Sequence, residues 1–136
     1  CEKPVAVDPV GVRQVEAACK SAQEKGLAVV SGLCWRYDLG VLETMKRIQD
    51  GAIGTVMATQ ADYLASPLWL RTAEDDWTPM HFQVQNWLYY RWLSGDHIVE
   101  QFIHSLDKAM WIHNDVPPVR AYGMGGRQVR TASEYG

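Results

Sequence analysis

The run Leu27-Ala-Val-Val30 is apolar without interruption and lies between Gly26 and Gly32. Continuous apolarity over so short a stretch predicts a strand covered on both faces, as in parallel sheets. The segment before it is punctuated as a helix. Asp8 suits the N-cap, and Pro9 suits the first helical position, where a missing N–H costs nothing. Val12, Val15, Cys19 and Ala22 recur at helical period, and Gly26 reads as a left-handed C-terminal cap. Residues 1–32 therefore predict a strand end, a helix and a strand, which is the tail of a βαβ unit.

A second helix is expected from Asp38 through Val41, Leu42, Met45 and Ile48, stopping at Gly51. Residues 54–63 mix polar and apolar side chains at strand-like spacing and predict a strand with one exposed face. Residues 66–85 hold two prolines, several acidic groups and no clear period, so a long excursion is expected there. A short helix is expected over 86–93 and a strongly patterned one over 96–113. Pro117-Pro118 ends the connection that follows, and a further strand is expected near 119–124.

Composition excludes several classes. Of 136 residues, 47% are hydrophobic and 21% charged, as in ordinary globular domains. No apolar run is long enough to span a bilayer. With 13 basic and 16 acidic residues the net charge is −3, and only Arg120, Arg127 and Arg130 cluster. Nucleic-acid binding needs a basic stripe that this chain lacks. Cys1, Cys19 and Cys34 form no metal-ligand spacing, and an odd number argues against a disulfide framework. The chain opens at Cys1 without a Met and is read as a piece of a longer protein. A cytoplasmic location is the default on that reading, and export remains open.

On a helical wheel of about 100° per residue, residues 96–113 divide cleanly. Val99, Phe102, Ile103, Leu106 and Met110 fall on one side, and His97, Glu100, Gln101, His104 and Asp107 on the other. The polar stripe reads either as a solvated face or as a catalytic one. Two histidines, and no Lys/Glu alternation, distinguish it from a salt-bridged exposed face. A histidine near a carboxylate suits general acid–base work, because its proton affinity can be tuned across neutral pH. A metal is the competing reading for His97, Glu100 and His104. Their spacing matches neither H-E-x-x-H nor another zinc signature, so no metal is expected.

Three motifs in order give the chain a resemblance that spacing alone does not. Cys1-Glu-Lys-Pro4, Gly32-Leu-Cys-Trp-Arg-Tyr-Asp38 and Gly95-Asp-His-Ile-Val-Glu-Gln-Phe-Ile-His-Ser-Leu-Asp107 resemble, in sequence, segments of the glucose–fructose oxidoreductase / inositol dehydrogenase / MocA (Gfo/Idh/MocA) family. Gln49-Asp-Gly-Ala-Ile-Gly54 and Gly123-Met-Gly-Gly-Arg-Gln-Val-Arg130 add to the likeness. The resemblance implies an α/β fold. Residues 1–35 would be the end of a Rossmann domain, and 36–136 the first part of an α+β domain with an open, mainly antiparallel sheet. It implies hydride transfer between NAD or NADP and a secondary alcohol of a sugar or cyclitol. Lys3 and His104 would carry the proton chemistry. Asp107 would orient His104 or hold substrate hydroxyls. Glu100 stands where many relatives carry Asp. Glu2, Lys3, Pro4, Arg36 and Tyr37 would border the cofactor, and His97, Gln101 and Trp87 the substrate. A homo-oligomer formed through the sheet is expected.

The same resemblance places the family's glycine-rich phosphate loop ahead of Cys1. Lys3 is therefore expected to hang at the N-terminus, without the sheet that would position it. The piece alone is expected to bind the cofactor poorly or not at all and to be inactive, the full-length protein being the enzyme. Two other functions stay open: NAD-dependent glycoside hydrolysis on the same fold, and a non-catalytic sugar-binding or oligomerisation module. Trp69, Trp77, Trp87, Tyr89, Tyr90 and Trp92 fall within 24 residues. They suit either a sugar platform, apolar faces set against C–H bonds, or packing of the long excursion.

Overall fold

A computed structural model describes residues 1–66 and 68–135, so Pro67 of the expected excursion and Gly136 lie outside the described residues. The chain is helical, and among the described residues no strand forms. The expected α/β architecture is therefore overturned. Among the described residues there is neither a strand–helix–strand Rossmann tail nor an antiparallel sheet.

The helices expected near the N-terminus are present because their ends are specified locally. Helix α1 spans Pro9–Glu24, with the Asp8 carboxylate accepting from the Gly11 N–H. Helix α2 spans Leu39–Gln49, with Asp38 accepting from the Val41 N–H. Both finish on a left-handed glycine. Gly26 donates to Gln23 and Leu27 to Ala22, while Gly51 donates to Ile48 and Ala52 to Arg47. Each pair of bonds satisfies carbonyls that the helix end would otherwise leave free.

Helix α3 (Pro79–Gln85) occupies the end of the segment read as an excursion. Its N-terminus repeats the signature of α1: Thr78 caps the His81 N–H and Pro79 follows. The segment 86–93 resolves into a 3-10 turn, Trp87–Tyr89, and α4, Arg91–Ser94. Residues 96–113 are not one helix. Helix α5 covers Asp96–Glu100 and α6 covers Ile103–Ile112, with a break at Gln101 and Phe102. At the break the Phe102 N–H reaches back to the His97 carbonyl, one residue further than an α-helical bond.

The failure of the strands has a common cause. A strand is stable only when a neighbour takes up its N–H and C=O groups, and pattern alone does not supply that neighbour. Leu27, Val29 and Val30 are exposed, the opposite of a run buried on both faces. Residues 54–63 run as an irregular strap along α6, tied by Ser105 Oγ to the Asp62 carbonyl (3.0 Å) and by Thr59 to His113 (3.1 Å). Residues 119–124 are exposed and without regular structure. The accessible surface of 10604 Å² exceeds the roughly 7,200 Å² of a compact monomer of this mass. Among the described residues Met45 is the buried apolar side chain, whereas Asn86, Ser94, Glu100, His104 and Ser105 are buried polar ones. The interior is thus organised around polar groups.

Asn86 shows how such a group is accommodated. Fully enclosed, it donates to the carbonyls of Arg71 and Phe82 and accepts from the Arg71 N–H. A buried amide with its partners in place avoids the desolvation cost of an unmade hydrogen bond. Asn86 thereby fastens the excursion to α3. The aromatic cluster is arranged around it. Trp69 packs on Trp87, Trp77 stacks on His81, and the Tyr89 hydroxyl donates to the Leu68 carbonyl.

Candidate active site

The polar stripe read from 96–113 turns inward at its centre. Glu100 and His104 are buried, while Leu106 on the apolar side is exposed. A buried carboxylate requires compensation, and Lys3 supplies it. Lys3 Nζ forms an ion pair with Glu100 Oε1 and donates to the Glu100 carbonyl at 2.5 Å. Contrary to the expectation that Lys3 would hang free, two glycines let its segment lie close. Next to Gly32, a Cβ would stand 2.6 Å from Glu2 Oε2 and 3.2 Å from the Lys3 nitrogen. At Gly95, a Cβ would stand 3.3 Å from the Val7 backbone and 2.8 Å from Val99. The Cys1 nitrogen also donates to the Val30 carbonyl at 2.7 Å.

His104 lies one turn beyond Glu100, with the Tyr63 ring stacked near it at 6.3 Å between centroids. Burial pushes its proton affinity below the ordinary histidine value. The Lys3 and Lys108 ammonium groups push the same way, and Glu100 and Asp107 oppose them. The imidazole is therefore held in its neutral form. Two buried polar atoms at this site have no partner: Glu100 Oε2 and His104 Nδ1. A polar ligand group such as a hydroxyl would satisfy both needs, since it can donate and accept.

Asp107 does not serve His104 directly. Its Oδ1 accepts from Arg36 Nε at 2.9 Å, and Arg36 also grips Asp115. Arg36 thus joins the 3-10 turn Cys34–Tyr37 to α6, with its guanidinium 5.1 Å from the Trp111 ring. Its carboxylate partners raise its proton affinity, and it in turn holds Asp115 below the ordinary carboxylate value. Tyr37 is exposed. His97 is exposed and packs edge-on to Tyr63. Gln101 sits half-buried at the break, and the Trp87 ring packs with Trp69 rather than with His104. The structure therefore brings Lys3, Glu100, His104, Asp107 and Arg36 into one neighbourhood and leaves Trp87 apart. Tyr63 and Asp115 escaped the sequence reading. Neither sits at a patterned position, and each arrives through a loop.

The fit to a dinucleotide is partial. The unpartnered atoms of Glu100 and His104 suit the hydroxyl end of the reaction. A pyrophosphate needs free N–H groups at a helix N-terminus. Those of α1, α2 and α3 are capped by Asp8, Asp38 and Thr78, and two of these caps carry negative charge. The glycines of Gly123-Met-Gly-Gly126 precede no helix. The N-termini of α1, α2 and α3 thus offer a pyrophosphate no free N–H groups at their caps. Among the described residues no three His, Cys, Asp or Glu side chains are grouped to hold a metal ion. No helix of the described residues is long and apolar enough to cross a membrane. Comparison with protein-family models, curated proteins and solved structures finds no match to this chain.

Proposed function

We propose that the chain carries the acid–base residues of an NAD(P)-dependent oxidoreductase acting on a secondary alcohol of a sugar or cyclitol. The observation that carries this reading is the convergence of Lys3, Glu100 and His104, with a buried unpartnered atom on each of the last two. Oxidation of an alcohol requires its hydroxyl proton to leave as hydride departs from carbon. A neutral imidazole beside the hydroxyl takes that proton, and the lowered affinity of His104 keeps the base form present at neutral pH. The Lys3 ammonium stabilises the developing alkoxide, while Glu100 holds that ammonium in place. A nicotinamide, when bound, supplies the hydride acceptor. Lys3, Glu100 and His104 account for the proton steps of the reaction.

The reading is tested by supplying the full-length protein with saturating NAD⁺ or NADP⁺ and a panel of aldoses, sugar alcohols and cyclitols. Net reduction of the nicotinamide supports it. Release of sugar from a glycoside without net reduction points instead to the hydrolase. Binding of a sugar without either reaction points to a non-catalytic module.

A further inference from the structure

Arg36 pairs with the carboxylate that stands one turn after His104. Its Nε and Nη2 both address Asp107 Oδ1, at 2.9 and 2.8 Å. Its Nη1 and Nη2 reach the two oxygens of Asp115 at 3.1 and 2.5 Å. The Asp107 side chain is 8% exposed and belongs to α6, one turn after His104. Side chains three residues apart on a helix stand about 5–6 Å apart at Cβ. A lone carboxylate there would favour a positively charged imidazole. Asp115 and its neighbour Asn114 both adopt left-handed backbone, with φ of 58° and 57°, a conformation that costs free energy for side chains larger than glycine. The forked bond from Arg36 helps to hold that turn at the end of α6.

We propose that Arg36 is a positioning residue for His104: by neutralising Asp107 and fixing the end of α6 through Asp115, it keeps the imidazole uncharged and able to accept a proton. This rests on the reading of His104 as the base. The groups that share its surroundings are Lys3 from the N-terminal segment, Glu100 from α5, Asp107 and Lys108 from α6, and Tyr63 from the strap. Lys3 and Lys108 disfavour the proton, and Glu100 and Asp107 favour it. Glu100 is paired with Lys3, and Asp107 is a second carboxylate that attracts a proton to His104. Arg36 is placed to cancel it.

The test is an NMR titration of the His104 ring in the whole chain, which reads the proton and not turnover. Its failure is therefore distinct from failure of the oxidoreductase reading. In Arg36→Gln the titration midpoint rises by about one pH unit, as expected for a newly unpaired carboxylate nearby. Arg36→Lys, which retains the charge, stays within about half a unit of the wild type. Adding Asp107→Asn to Arg36→Gln returns the midpoint toward the wild-type value. A folded Arg36→Gln without a rise, or a rise that persists in the double variant, overturns the proposal. If Arg36→Gln does not fold, recovery of folding by Asp107→Asn supports the proposal, since the double variant removes the uncompensated charge. A double variant that also fails to fold overturns it.

Discussion

Lys3 Nζ donates to both the main-chain carbonyl and the side-chain carboxylate of Glu100, a residue 97 positions away along the chain. The pair closes a long loop of sequence around a charge contact that is mostly shielded from water. The Lys3 side chain is 15% exposed and that of Glu100 5%. Breaking such a pair by removing one partner strands the other as a buried charge, at a cost of about 3–5 kcal/mol. Lys3→Met is expected to lower the unfolding free energy by that order in urea titrations. Lys3→Met combined with Glu100→Gln recovers much of the loss. A Lys3→Met variant as stable as the wild type would show that the pair contributes nothing to folding.

Gly95 predicts a second effect at the same junction. Its φ of 76° and the nearby Val7 backbone leave no room for a side chain, and Asp96 after it is also left-handed. Ala at this position meets both an unfavourable backbone and a close contact, so the cost exceeds about 1 kcal/mol. Because Val7 belongs to the segment that carries Lys3, hydrogen exchange of residues 1–7 should quicken in Gly95→Ala. Unchanged exchange there would show that the two segments are not coupled.

The lowered proton affinity of His104 gives stability a defined pH dependence. Its folded value lies below the ordinary 6.5, so between the two values the unfolded chain binds more protons. Stability then rises with pH. The contribution is complete above about 6.5 and is lost as pH falls through the folded value. The urea midpoint of the wild type should therefore decline on acidification more steeply than that of His104→Gln. Parallel declines would assign the dependence to other groups.

How far the sequence reveals this structure depends on whether a signal is local. The ends of α1 and α2 were readable because Asp8-Pro9, Gly26, Asp38 and Gly51 act within one turn of themselves. Thr78-Pro79 carried the same signal, but it was masked by the acidic, aperiodic stretch before it. The strands expected at 27–32, 54–63 and 119–124 failed because a ladder requires a distant partner, and apolar alternation names none. The grouping of Glu100, His104 and Asp107 was legible as one face of a helix, although α5 and α6 are separated by a break. That Lys3 reaches Glu100, and that Arg36 takes Asp107 away from His104, required the fold. Tyr63 stacks near His104 only because Ser105 ties down the strap beside it.

The central claim is that His104 is the base for alcohol oxidation, with Lys3 beside it as the ammonium that stabilises the alkoxide. It is tested most directly by the turnover number of His104→Ala in the full-length protein at saturating NAD(P)⁺ and alcohol, with folding confirmed by circular dichroism. A fall of at least about 100-fold relative to the wild type is the predicted result. A folded His104→Ala that reduces the nicotinamide at the wild-type rate would contradict it.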